Sequence, residues 1–126
     1  MKSDSLVIIP TYNEKENIEN IINAVLNITE HQFDVLIVDD NSPDGTGDIV
    51  DKMIAERPDR ISILKRAGKQ GLGTAYIAGF KWALERHYEY IIEMDADFSH
   101  PVEKLPELQA TCASGKADVS VGSRYI

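Results

Sequence analysis

The hydrophobic positions of this chain alternate between two periods. Ser5 to Thr11, "SLVIIPT", and Phe33 to Val38, "FDVLIV", are nearly continuous apolar runs. Runs of that length without polar alternation predict strands covered on both faces. Between them Ile18, Ile21, Ile22, Val25 and Leu26 recur at helical spacing, and Asn13 followed by Glu16 has the spacing of a capping box. After the second run "SPDGTG" is turn chemistry, and Ile49, Val50, Met53 and Ile54 predict a second helix that stops before Pro58. "RISILK" predicts a third strand. Leu72, Ala75, Tyr76, Gly79, Phe80 and Ala83 predict a third helix behind the glycine-rich "GKQGLG". "YEYIIEM" and "ADVSVGS" predict a fourth and a fifth strand. Pro101 and Pro106 each suit a first helical turn, so a short turn and then a helix to about Ala113 are expected between those strands.

Strands that alternate with helices and carry unbroken apolar runs specify an α/β fold. The expected architecture is a doubly wound, mostly parallel, Rossmann-like sheet with helices on both faces. Residues 1–126 read as a single domain, without repeat, linker or low-complexity segment. In such sheets ligands bind beyond the carboxyl ends of the strands. Those ends carry Pro10 to Glu14, Asp39 with Asp40, and Asp95 to Asp97, so the site is expected on that rim.

Charge narrows the partners. Thirteen Lys and Arg against 21 Asp and Glu give a formal net charge of -8, which argues against nucleic acid. A small anion can still bind, given a local cation or well-aimed amides. No apolar run approaches the roughly 18 residues that cross a bilayer, and no signal-peptide pattern opens the chain. The single cysteine, Cys112, excludes an internal disulfide and fits a reducing, cytoplasmic compartment.

Asp95 and Asp97 stand where an apolar run stops. Residues two apart in extended backbone point to the same side, so both carboxylates can face one ion. Hard cations such as Mg²⁺ prefer oxygen ligands and keep substrate phosphates in their shell. Equally, the two acids can cap a helical turn and satisfy loop amides. Asp39 and Asp40 also have two readings: they build the turn in "DDNSPDG", or one accepts hydrogen bonds from ribose hydroxyls or base N–H groups. Asp44 and Gly45 serve the turn. "GKQGLGTAY" fails as a dinucleotide fingerprint, because Tyr76 stands where a third glycine or alanine is needed and the segment follows the third strand. Gly71 and Gly73 instead allow close backbone approach, with Lys69 a phosphate partner. His31 and His87 read as solvated, His100 as a loop residue beside the acidic pair, and Cys112 as core.

"PTYNE", "VDDNSPDGT", "GLGTAY", "MDADFSHP" and "VGSRY", in this order and spacing, resemble the polyprenol (dolichol) phosphate mannose synthases, inverting GT-A glycosyltransferases of family 2. The resemblance runs from Leu6 to Tyr125. It implies that Pro10, Tyr12 and Glu14 line a nucleotide pocket and that Val38 with Asp39 or Asp40 holds base and ribose. It further implies that Asp95, Ala96 and Asp97 meet the ribose and diphosphate, that Asp97 is the firmest ligand of Mg²⁺ or Mn²⁺, and that Arg124 faces the diphosphate or the acceptor phosphate. The implied catalytic set is Asp95, Asp97 and Arg124. The implied reaction carries mannose from GDP-mannose to a polyprenyl phosphate, at the cytoplasmic face of a membrane.

Elementary electrostatics agrees with that scheme. A unit charge pair at 4 Å is worth about 4 kcal/mol at an effective dielectric near 20, so a bare diphosphate is repelled by an acidic rim. A divalent ion reverses the sign and acts as a Lewis acid on the departing diphosphate. A phosphate monoester loses its second proton near pH 6 and needs no dedicated base to attack. Two features depart from the family. Ser99 stands where some relatives carry Gln, and family catalytic domains run well past Ile126, so the chain is expected to be the nucleotide-binding part of a longer enzyme. The alternatives are a UDP-glucose-dependent glucosyltransferase of the same fold, a non-catalytic sugar-nucleotide module and, remotely, a receiver-type signalling domain. In a receiver the acidic pair follows the first strand, not the second.

Overall fold

The computed structural model of the protein describes residues 5–28, 32–66, 72–86, 88–94 and 119–121. The elements run β1 (Ser5–Thr11), α1 (Ile18–Leu26), β2 (Asp34–Asp39), α2 (Thr46–Glu56), β3 (Ile61–Lys65), α3 (Leu72–Glu85), β4 (Tyr90–Glu93) and β5 (Val119–Val121). The expected α/β fold is present, as one parallel sheet in the order β3-β2-β1-β4-β5. The helix expected to end near Ala113 lies outside the described residues.

The order fixes where the helices lie. The chain steps outward from β1 to β2 to β3, then returns past β1 to β4. Right-handed crossovers put helices of opposite travel on opposite faces. α1 and α2 accordingly cover one face, where Ile18, Ile21, Ile22, Val25, Val50 and Met53 pack on Val7, Ile9, Val35 and Ile37. α3 covers the other, where Ala75, Tyr76 and Ala83 pack on Leu6, Ile8, Leu36 and Val38. β1 and β2 thus send odd and even residues into separate cores, which explains their unbroken apolar runs. Gly79 lets α3 lie close to the sheet, since a Cβ there would stand 2.8 Å from Ile8 Cγ2.

One local expectation is corrected. Asn13 and Glu16 do not form a capping box: α1 begins at Ile18, with Asn17 as N-cap and no side-chain cap. A capping box needs the Asn13 amide for the Glu16 side chain. That amide instead donates to Ser42 Oγ at 2.9 Å, and Asn13 turns sharply off β1 at φ 57. The helix is entered through a turn in which the amides of Asn17 and Ile18 both reach Glu14 O, at 3.0 and 2.9 Å.

Candidate functional site

The strand order reverses at β1, so the crevice at the carboxyl ends of β1 and β4 is the topological switch point where ligands bind in such sheets. Residues 12–14 leave β1 there. Met94 leaves β4 there, its amide held to Ile8 O at 2.9 Å. Asp95, Ala96, Asp97, Lys69 and Arg124 lie outside the described residues, as do His31, His87, His100, Ser99, Gly71 and Cys112. Gly73 falls in α3.

The loop after β1 is built by the loop after β2. Ser42 Oγ accepts the amide of Asn13 at 2.9 Å, Asp44 Oδ2 that of Lys15 at 3.2 Å, and Thr46 Oγ1 that of Glu14 at 3.1 Å. Alternate residues of "NSPDGT" thus present oxygens to three successive amides. Asn41, like Asn13, sits two residues past its strand at φ 57, a left-handed turn that Asn tolerates. Gly45, at φ 95, opens α2 in a conformation a side chain would strain. Asp44 and Gly45 therefore serve the turn, as expected. Burial pushes the Asp44 carboxyl up, but hydrogen bonds from the Thr46 hydroxyl and amide and from the Lys15 amide outweigh it and hold its pKa below the usual value.

Asp39 and Asp40 part company. Asp39 turns to the α1/α2 face, where its Oδ1 accepts from Thr11 Oγ1 and Ser42 Oγ, each at 2.7 Å, and its Oδ2 accepts from the Ser42 amide at 3.0 Å. It is buried, and three hydrogen bonds fix it on the turn. Asp40 turns to the α3 face beside Arg66. Nε lies 2.7 Å from Oδ1 with its N–H off the line of contact, and Nη2 donates to Oδ2 at 3.4 Å. Both side chains are largely buried, at 8% and 9% relative exposure. The two aspartates are thus engaged differently: Asp39 is held by the turn on one face of the sheet, and Asp40 is paired with Arg66 on the other.

Around these, Val38 is fully buried and pairs in register with Pro10, which is half-buried. Pro10 falls beyond Ile8, the last β1 residue paired with β4, where a missing amide costs that edge nothing. Tyr12 is 37% exposed, an aromatic surface on the rim, and Glu14 is half-buried. On the α2 side Asp39, Asn41, Ser42, Gly45, Gly47, Asp48 and Lys65 surround an open cavity of about 110 Å³. That is too small for a nucleotide, whose pockets run to roughly 300 Å³ or more. Lys65 leans out to Asp51 at 2.7 Å, and this bond, against the pull of burial, raises its pKa.

The sequence reading missed Arg66, Thr11, Ser42 and Thr74 as parts of the rim. A usable signal was present: β2 and β3 pair Asp39 with Lys65, so "DD" and "KR" leave adjacent strands side by side. No group of three or more His, Cys, Asp or Glu among the described residues can hold a metal. Asp39 is held by the turn and Asp40 by Arg66, and the acidic pair that the sequence offers for a cation, Asp95 and Asp97, lies outside the described residues. Their donor set, two carboxylates one residue apart after a buried strand, suits a hard divalent ion.

The family model described as "Glycosyl transferase family 2" matches residues 6–126. The chain is 48% identical over 122 residues to a polyprenol monophosphomannose synthase of Mycolicibacterium smegmatis, covering 97% of this chain and 45% of that protein. It is 49% identical over 121 residues to an undecaprenyl-phosphate mannosyltransferase of Micrococcus luteus, covering 96% of this chain and 48% of that protein. It thus spans about half the length of the curated relatives it matches. Among solved structures, a mannosyltransferase from Pyrobaculum calidifontis in complex with GDP-Man and Mn²⁺ is 26% identical with a TM-score of 0.55, covering 66% of this chain and 25% of that one. S. aureus TarS in complex with UDP-GlcNAc is 26% identical with a TM-score of 0.66, covering 90% of this chain and 32% of that one. No helix among the described residues is long and apolar enough to cross a membrane.

Proposed function

This chain belongs to glycosyl transferase family 2, and on that premise we propose that it is the nucleotide-sugar-binding part of a polyprenyl-phosphate mannosyltransferase. The donor is GDP-mannose and the acceptor a polyprenyl phosphate presented at a membrane surface. The observation that carries this reading is the near half identity, over almost the whole chain, to relatives named for that reaction.

The geometry supports the assignment of roles. Tyr12 and Glu14 stand on a loop preset by Ser42, Asp44 and Thr46, so little backbone ordering is left for the ligand to impose. Pro10 and Val38 form the apolar floor, and Asp40 accepts hydrogen bonds from the base or ribose. Asp95 and Asp97, with Ala96 between them, would hold a divalent ion, Mn²⁺ or Mg²⁺, and Lys69 and Arg124 would add positive charge for the diphosphate. The ion would supply electrostatic stabilisation of the leaving diphosphate. The acceptor phosphate, mostly dianionic at neutral pH, is its own nucleophile: its oxygen bonds to the sugar's anomeric carbon as the bond to the diphosphate breaks, inverting the centre.

A second reading has a specific observation behind it. The TarS complex with UDP-GlcNAc matches more of this chain, at a higher TM-score, than the GDP-Man complex does. That favours a UDP-sugar donor on the fold, against the much higher identity to the mannosyltransferases. Calorimetry with GDP and UDP, each with and without Mn²⁺, separates them. Manganese-dependent heat with GDP in excess of UDP is expected; equal heats, or none with either nucleotide, overturn the proposal.

A further inference from the structure

We propose that Arg66 is a positioning residue for the donor nucleotide: it presets the Asp40 carboxylate and ties it to the first turns of α3. This rests on the reading that the rim binds a nucleoside diphosphate sugar.

Three contacts carry the inference. The Arg66 amide donates to Asp39 O at 2.8 Å, anchoring its backbone where β2 ends. Its guanidinium reaches the Asp40 carboxylate with Nε at 2.7 Å and Nη2 at 3.4 Å. The same Nη2 donates to Thr74 Oγ1 at 2.9 Å, in the α3 segment that follows residues 68–71. One side chain therefore joins the ends of two strands to the helix behind the glycine-rich segment. Asp39 has nothing comparable, because hydroxyls and an amide hold it on the opposite face.

The arrangement has a chemical consequence. A carboxylate at 6% residue exposure, if left without a cation, turns toward water to recover its hydration. It then stops presenting acceptor oxygens in a fixed direction. Arg66 occupies one flank of Asp40 and neutralises its charge in a rim that must also admit a polyanion. The carboxylate is then held in one orientation toward donors on the nucleotide, such as base N–H or ribose hydroxyl groups. Lys offers a charge but not the planar fork that reaches carboxylate and Thr74 together.

The test is a double-mutant cycle read by GDP binding in the presence of Mn²⁺, with Tm measured for every variant. Arg66→Gln and Asp40→Asn are each expected to weaken GDP by at least about tenfold, and the double variant no more than either alone. Arg66→Lys is expected to recover only part of the loss. Thr74→Val, a milder change, is expected to weaken GDP about two- to fivefold with little change in Tm, so the proposal stays testable if Arg66→Gln folds poorly. Unchanged GDP affinity in Arg66→Gln and Thr74→Val overturns the proposal, as do losses that add in the double variant. Those outcomes leave the functional reading standing. Absence of GDP binding by the unmodified chain overturns that reading, and this proposal with it.

Discussion

Asp39 and Asp40 are neighbours in sequence whose carboxylates address opposite faces of the sheet, one held by Thr11 and Ser42, the other by Arg66. The alternation of a strand separates them, and their energetics differ accordingly. Asp39→Asn replaces one acceptor oxygen by a donor where three hydrogen bonds arrive, so it is expected to cost about 1–3 kcal/mol of stability. Denaturant unfolding measures this. Asp40→Asn is expected to act first on nucleotide affinity, and a reversal of the two phenotypes would refute the division of labour.

At the other end of β2, the Tyr88 hydroxyl donates to Asp34 Oδ2 at 2.8 Å, with both residues buried. Burial first, and this bond second, push the phenol's pKa well above its usual value. Arg60 adds a looser ion pair, Nε to Asp34 Oδ1 at 3.6 Å, and Trp82 stacks on the Tyr88 ring at 6.2 Å. Tyr88→Phe keeps the stack and removes the donor. A loss of about 1–3 kcal/mol is expected in chemical denaturation, with no change in nucleotide binding.

Gly79→Ala tests the approach of α3. Its Cβ would meet Ile8 Cγ2 at 2.8 Å and Cδ1 at 3.0 Å, in a fully buried β-branched side chain with no room to retreat. The better helix propensity of Ala is outweighed, and a net loss of about 1–3 kcal/mol is expected. In an Ile8→Ala background the same substitution is expected to cost less than it does alone, which thermal unfolding of the four variants reveals.

Asp44 makes the loop framework sensitive to acid. Its pKa is lowered on folding, so its contribution is present above the unfolded carboxylate value and is lost as pH falls through the folded one. Asp44→Ala is therefore expected to lower stability by about 0.5–1.5 kcal/mol at pH 7 and by progressively less below about pH 4. A gap in Tm that stayed constant down to pH 3 would contradict this origin.

Asp97→Ala is expected to leave the fold intact, which a cooperative thermal transition would show. GDP affinity in that variant is expected to stop responding to added Mn²⁺. Titration of nucleotide at several metal concentrations reads it directly, and a preserved metal response would remove Asp97 from the ion's ligands.

Among the described residues the order of strands and helices was legible from hydrophobic spacing alone, because a parallel sheet covered on both faces buries all of β2 and all of β1 but Pro10. Gly45 and Asp44 were legible too, since turn chemistry is local. Tertiary structure alone decided which of two adjacent aspartates the turn consumes, that the Asn13 amide belongs to Ser42 rather than to a capping box, and that Arg66 bridges Asp40 and Thr74. Local sequence carries propensities over a few residues. These choices depend on which strand ends lie side by side, and that is set only when the sheet assembles in the order β3-β2-β1-β4-β5.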